Sequence, residues 1–399
     1  MAVMVLLGFS QGLPLPLVAG STLQAWLTTA GVDLKTIGLF SLVGLPYVLK
    51  FLWSPFMDRF VPPWLGRRRG WIVPIQILLL IGIALMALSS PEKMPLALAV
   101  MALVIAFISA SQDIVTDAYR TDVLPNAERG LGSATFILGW RLANLVAGAL
   151  ALILADSIGW RNTYFLMAFF MIIGICGTFL GQEPAEKIIP PKTMEEAIWG
   201  PLKDFFSRKS ALLFILLIIL YKLGDAYAAS LTTTFLIRGV NFTLIEIGTI
   251  NKTLSIIATI AGALFGGTLM IKLGLYRSLM LFGILQTVSN LAFMALALIG
   301  KNLPAMIAAV AVENVSGGMG TAAFGALIMA LCDKRFSATQ FALLSSLAAL
   351  GRVAISPTSG FVVTMTGWPI FFLITTFVGF PGLVILRMLR SKIKGIYDT

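Results

Sequence analysis

The sequence predicts an all-α polytopic membrane protein: about twelve transmembrane helices in two pseudo-symmetric six-helix bundles. Composition is the first reason. Of 399 residues 58% are hydrophobic and only 12% are charged, outside the usual range of soluble globular chains. The second is length: apolar runs of about 20 residues, enough to cross a hydrocarbon core about 30 Å thick, recur along the whole chain. The third is an internal repeat. Ser54-Pro55-Phe56-Met57-Asp58-Arg59 matches Gly267-Thr268-Leu269-Met270-Ile271-Lys272, Gly139-Trp140-Arg141 matches Leu350-Gly351-Arg352, and Ile158-Gly159-Trp160 matches Thr366-Gly367-Trp368. The offsets are 213 (54 to 267), 211 (141 to 352) and 208 (160 to 368). With an even number of spans in each half, the two copies share one orientation, as in carriers built around a central cavity.

Taken in order, the first span runs to Ala30, and Gly12, Pro14 and Pro16 predict a kink or unwound stretch within it. The next five run from about Thr36 to Pro55, Trp71 to Leu88, Pro95 to Tyr119, Leu131 to Ala155 and Trp160 to Leu180. These six form an N-terminal bundle, 1–181. A polar connector, 182–209, carries Pro184, Pro190, Pro191 and a mixed-charge stretch that could lie as an amphipathic helix on the membrane surface. The C-terminal bundle, 210–399, holds spans at about 211–236, 244–271, 278–299, 303–331, 338–363 and 368–390.

Charge sets the orientation. The formal net charge is +11, and the basic residues sit in short loops between apolar runs, so the positive-inside effect explains them better than nucleic-acid binding. Nineteen lysines and arginines fall on the side of the termini and connector, against Lys35, Lys93, Arg161, Arg238 and Lys301 on the other. Both termini are therefore expected to be cytoplasmic. The chain opens directly into apolar sequence with no charged leader, so its first run belongs to the mature fold, and a few polar residues are expected to precede Met1. Histidine is absent, which leaves any proton relay to carboxylates and excludes a His-ligated metal. Cys176 and Cys332 lack metal or redox spacing and read as small apolar side chains. No cofactor is expected.

The loop after the second span carries Asp58-Arg59 and, beyond Pro62-Pro63, Gly66-Arg67-Arg68. This resembles the signature of the major facilitator superfamily, with Ser54 at its first glycine and the Gly-Arg-Arg delayed. The second copy keeps Gly267, Lys272 and Gly274 but has Ile271 where the acid belongs. More closely, Phe9-Ser10-Gln11-Gly12-Leu13-Pro14, Leu49-Lys50-Phe51-Leu52-Trp53-Ser54-Pro55, Gly66-Arg67-Arg68-Arg69-Gly70-Trp71 and Gln112-Asp113-Ile114-Val115-Thr116-Asp117-Ala118 together resemble the AmpG-type muropeptide permeases. That resemblance implies import of N-acetylglucosaminyl-anhydro-N-acetylmuramyl peptides from periplasm to cytoplasm, across the inner membrane, during cell-wall recycling and driven by protons. It implies a small-molecule cargo, protons and the lipid bilayer as partners, no nucleic acid, and action as a monomer. The Gln-Asp-x-x-x-Asp segment is also similar to the acetyl-CoA transporters, so an organic-anion carrier of the same fold is the alternative.

Charged residues inside apolar spans are costly and mark functional positions. Asp113 and Asp117 stand four apart, on one helical face, in the second half of the fourth span. Counted at 1.5 Å per residue from Arg120, they lie about 10 and 5 Å inside. They are the candidate proton carriers, Asp113 first; the competing reading is that Asp117 is hydrated at the mouth, or that either acid pairs with a base. Lys50, Arg141, Lys222, Lys252 and Arg352 are the membrane bases, and Asp225 and Glu313 the remaining acids. Five bases against four acids leave the cavity ready for an anion, which arginine can hold through two parallel hydrogen bonds. Arg141 and Arg352 occupy matching repeat positions; Lys222 with Asp225, and Glu313 with Arg352 or Lys252, could equally lock helices together. Sugar rings suit aromatic faces and amides, for which Tyr47, Trp53, Trp140, Tyr221, Tyr227, Gln11, Gln24, Asn144 and above all Gln112 are candidates. Asp58, Arg59, Arg67, Arg68, Arg69 and Asp122 form a cytoplasmic charge cluster expected to stabilise the outward-open state. Ser316-Gly317-Gly318-Met319-Gly320 reads as a close-packing or hinge segment, not a phosphate loop, since no Gly-Lys-Ser/Thr follows. No catalytic base or metal constellation stands near an interface, which argues against an enzyme, and buried charges of both signs argue against an open channel.

Overall fold

The computed structural model describes residues 1–123, 129–182, 210–331 and 337–395, and side chains within these ranges except at 55, 58, 59, 121, 129–131, 133, 134, 337–342, 345 and 395. The connector beyond Gln182 and Cys332 lie outside the described residues.

Among the described residues the chain is helical throughout, with eleven helices long and apolar enough to cross a membrane. One of them, Thr135–Leu180, has 46 residues, about twice what a bilayer needs. It breaks at Gly159 (φ 79°, ψ 161°) and makes two crossings, so eleven helices give twelve spans, as expected. Spans one to four are Ala2–Thr29, Leu34–Leu52, Arg69–Met86 and Pro95–Arg120, and spans five and six are the two arms of Thr135–Leu180. Spans seven to twelve are Ala211–Gly239, Leu244–Leu273, Leu275–Ile299, Leu303–Leu331, Ser346–Thr366 and Trp368–Met388. The repeat is visible in the backbone itself: Gly367 (φ 80°, ψ 171°) separates spans eleven and twelve in the conformation of Gly159, a left-handed setting open to glycine and strained for other residues. A tryptophan, Trp160 or Trp368, follows each.

Span one breaks where its prolines require it. The Pro16 ring conflicts with the carbonyl of Gly12, four residues back, and the first helix ends at Gly12; a short helix, Pro14–Val18, and an extended Gly20 (φ −122°, ψ −158°) follow before the chain restarts as helix at Ser21. The restarted arm is tied to span five by Thr22, whose hydroxyl donates to the Ala147 carbonyl at 2.5 Å. Spans one and five meet backbone to backbone: a Cβ on Gly8 would strike the Phe136 carbonyl, and one on Gly139 the Val5 carbonyl. Small residues serve this purpose in lipid, where packing replaces the hydrophobic drive between helices.

The chain forms two compact units, Met1–Val32 with Val43–Lys192 and Ile247–Thr249, and Asp33–Leu42 with Thr193–Glu246 and Ile250–Thr399. Unit 1 buries Leu7, Leu17, Leu79, Ile83, Tyr164 and Met171. Unit 2 is built on Phe214, Leu217, Tyr221, Leu279, Phe282 and Leu327. In unit 2, span ten lies on span eight through glycines: a Cβ on Gly262 would strike the Val315 carbonyl and one on Gly318 the Thr259 carbonyl. The Gly-rich run of span ten therefore serves close packing.

Candidate functional site

Some of the charged side chains of the spans come together in each unit. Span two loses regular α-helical geometry at Phe40–Gly44 and, within unit 1, again at Lys50–Leu52. The second break delivers Lys50 to span four, where its Nζ lies 3.4 Å from Asp113 Oδ2. Trp53 fixes that approach, donating from Nε1 to Ser111 Oγ at 3.0 Å while its ring lies 4.6 Å from that of Phe107. Asp117, one turn beyond Asp113, lies 3.4 Å from Arg120 Nη2. Gln11 of span one interacts with both carboxylates. Asp113 and Asp117 thus share a face, as expected, and each has a basic partner.

Gln112 is placed otherwise than expected. It is fully buried and donates to Ser10 Oγ at 2.6 Å. That oxygen also accepts from Gln76 Nε2 at 2.9 Å, and Thr178 donates to Gln76 Oε1 at 2.9 Å. This network ties spans one, three, four and six inside the unit. Neighbours on a helix are turned about 100° apart, so adjacency to Asp113 in sequence sends Gln112 to a different face.

Arg141 is half-buried in span five and makes no hydrogen bond or ion pair among the described residues. Trp140 and Tyr47 are half-buried. At the end of the unit that carries Arg120, Arg68 is buried and donates from Nε to Asp122 Oδ2 at 2.7 Å. Arg69 donates to the Thr178 and Phe179 carbonyls at 3.0 and 3.2 Å, satisfying the last carbonyls of span six. Arg67 is half-buried, and the side chains of Asp58 and Arg59 lie outside the described residues.

In unit 2, span seven is interrupted at Tyr221–Lys222 and restarts as Leu223–Thr234. Lys222 stands at this break. Its Nζ lies 2.7 Å from Thr321 Oγ1, 3.3 Å from the Gly317 carbonyl and 3.7 Å from Asp225 Oδ2. Asp225 sits in the first turn of the restarted helix, where the helix dipole favours a negative charge, yet its Oδ1 is buried without a partner. Lys252 donates to Thr233 Oγ1 at 3.4 Å. Glu313 Oε2 accepts from the Asn314 amide at 2.5 Å and feels Asp225, Lys222 and Lys252 electrostatically. Lys222, Asp225, Lys252 and Glu313 are therefore brought together. Sequence reasoning missed Thr233 and Thr321 as partners; Glu313, Gly317 and Thr321 at spacings of four on span ten mark one face and could have found the latter.

Tyr221 and Tyr227 are corrections to the expected sugar platforms. Tyr221 is 4% exposed, its ring stacked on Phe324 at 5.4 Å and its hydroxyl donating to the Leu279 carbonyl at 2.8 Å. Tyr227 is 2% exposed, with its hydroxyl 2.8 Å from Thr358 Oγ1. Both fill the interior of the unit, where a buried phenol must find a partner for its O–H. Arg352 is exposed on span eleven, unlike its repeat counterpart Arg141.

Twelve membrane crossings holding acids and bases within the apolar spans define a membrane transporter. The profile of the Major Facilitator Superfamily matches residues 1–251. The chain is 55% identical, over 98% of its length and 80% of the relative's, to the anhydromuropeptide permease of Escherichia coli K12. It is 34% identical, over 98% of its length and 96% of the relative's, to a putative transporter AmpG 4 of Rickettsia felis. This chain belongs to the Major Facilitator Superfamily and, within it, to the AmpG-type permeases; it is a transporter and not an enzyme. Solved structures share the fold at low identity. The nucleoside transporter NupG superposes with a TM-score of 0.75 at 14% identity, covering 97% of this chain and 98% of that one. A POT family transporter in complex with a thioalcohol-conjugated peptide gives 0.72 at 13%, covering 98% and 96%.

Proposed function

We propose that this chain imports anhydromuropeptides, N-acetylglucosaminyl-anhydro-N-acetylmuramyl peptides, from periplasm to cytoplasm with protons, by alternating access in the bacterial inner membrane with both termini cytoplasmic. The cargo class comes from the anhydromuropeptide permease that matches nearly the whole chain at 55% identity. The observation that carries the anionic character of the cargo is Arg141, a half-buried guanidinium in a membrane span with no partner among the described residues. A cation left so in a bilayer is expensive unless something negative arrives, and a peptide carboxylate fits its two-pronged geometry. On the proton side, protonation of Asp113 removes the charge that holds Lys50 at 3.4 Å. That bond ties span two to span four, so its loss frees the two helices to move, and Asp117 beside Arg120 stands as the second acid.

The test is uptake of labelled anhydromuropeptide into right-side-out membrane vesicles under an imposed pH gradient. Arg141→Gln is expected to raise KM about 10- to 100-fold, the worth of a charge-assisted hydrogen bond. Arg141→Lys should recover part of that loss. Unchanged KM in Arg141→Gln removes Arg141 from the cargo site, and accumulation that survives collapse of the pH gradient removes proton coupling.

A further inference from the structure

Six acids fall within the spans of the described residues, and their surroundings differ; Asp156, three residues before the Gly159 break, is exposed. Asp113 has Lys50 at 3.4 Å, Asp117 has Arg120 at 3.4 Å and Asp225 has Lys222 at 3.7 Å. Glu246, in the first turn of span eight, has Lys301 at 3.2 Å. Glu313, ten residues into the 29-residue span ten, has no basic nitrogen within 4.0 Å among the described residues. We infer that Glu313 is a proton-binding site of this transporter, supplied by unit 2 in addition to the span-four carboxylates. The inference rests on the proton-coupled reading above and adds a second titrating position to it.

The argument is one of compensation. An ionised carboxylate in the middle of a membrane span needs a counter-charge or a proton. The bases nearest Glu313 are engaged elsewhere: Lys222 with Thr321, the Gly317 carbonyl and Asp225 on its own span, and Lys252 with Thr233. Asp225 adds a like charge to its surroundings. Span nine, which packs against span ten, carries Arg277 as its one charged residue, in its first turn; Arg352 of span eleven is exposed. No described residue therefore neutralises Glu313 at contact distance. Its hydrogen bonding suits the acid form: the Asn314 amide donates to Oε2, which leaves Oε1 to carry the proton. Asn314 is itself oriented by the Thr259 hydroxyl, which donates to Oδ1 at 3.2 Å. Glu313 is only half-buried, so its carboxyl is not sealed within the interior of the unit.

Loss of the proton has a mechanical consequence inside unit 2. The Nζ of Lys252, on span eight, can serve Thr233 on span seven or an ionised Glu313 on span ten, and deprotonation draws it toward the latter. Proton occupancy at Glu313 thus selects which helix span eight is tied to.

Infrared difference spectroscopy on the full-length protein in lipid nanodiscs, without cargo, reads the proton directly. A protonated-carboxyl C=O band is expected near neutral pH in the wild type and in Asp113→Asn, and is expected to disappear in Glu313→Gln. A band that persists unchanged in Glu313→Gln overturns the proposal. In proteoliposomes, the proton-to-cargo ratio should fall by one in Glu313→Gln and return in Glu313→Asp; an unchanged ratio in Glu313→Gln also overturns it. If wild-type vesicles take up no anhydromuropeptide, the cargo assignment fails while the infrared band still decides Glu313.

Discussion

The two charge clusters use the same ingredients to different ends. In unit 1, Asp113 and Asp117 each hold a base at 3.4 Å, and the pairs join span two to span four and close the end of span four. In unit 2, two lysines and two acids share one neighbourhood, but both lysines spend their hydrogen bonds on threonines and a carbonyl. Asp225 is paired at 3.7 Å, and Glu313 has no base within 4.0 Å among the described residues. The lesson is that charge balance and charge pairing are separate properties. A neutral cluster can still contain an acid whose ionisation is uncompensated at contact distance, and such an acid is the one whose charge changes most readily.

That contrast can be broken most forcefully at Lys50. Lys50 and Asp113 are half-buried, at 29% and 16% exposure, so removing one partner leaves the other uncompensated at a cost of about 2–3 kcal/mol, short of that of a fully buried pair. Lys50→Met should therefore lower unfolding stability in detergent by that amount, and the double variant Lys50→Met/Asp113→Asn should regain most of it. Glu313→Gln, with no close partner to orphan, should leave stability nearly unchanged. Equal losses at Lys50 and Glu313 in thermal unfolding would erase the distinction between the clusters.

A smaller effect is expected from the buried network that shares the fourth span with the pair. Gln112→Leu leaves Ser10 and Gln76 to satisfy each other and should cost about 1–3 kcal/mol with little change in KM. A KM shift without loss of stability would return Gln112 to the cargo path. The smallest effect belongs to Asp33, outside the spans, which caps the helix of span two by accepting from the Thr36 amide at 3.0 Å. Hydrogen bonding from Thr36 holds its carboxyl below the ordinary carboxylate range. The stability it contributes is therefore complete above that ordinary range and is lost as pH falls through the lowered folded-state value. Asp33→Asn, which can still cap, should flatten this acid limb of the melting-temperature profile while leaving the neutral-pH melting temperature nearly unchanged.

Much of this was legible in the residues. Spans announce themselves because about 20 apolar residues are needed wherever a helix crosses lipid, and the Gly-Trp repeats mark two identical backbone settings at Gly159 and Gly367. The shared face of Asp113 and Asp117 follows from a spacing of four, and the short-range Lys222–Asp225 pair from a spacing of three. Gln112, Tyr221 and Tyr227 were harder to place. Periodicity tells which residues of one helix point the same way, but not whether that direction meets water, lipid or another helix.

By itself, the sequence determined the membrane class, the number of crossings, the repeat and the set of charged residues that must find a purpose inside the bilayer. Each of these is a local matter of hydropathy, spacing or backbone freedom. Only the tertiary structure decided which charges are paired: that Lys50 reaches Asp113, that the lysines of unit 2 turn to threonines, and that Arg141 and Glu313 have no opposite charge at contact distance among the described residues. Pairing depends on where helices far apart in the chain come to lie, and a few ångströms separate a salt bridge from a charge that must wait for a proton or a cargo.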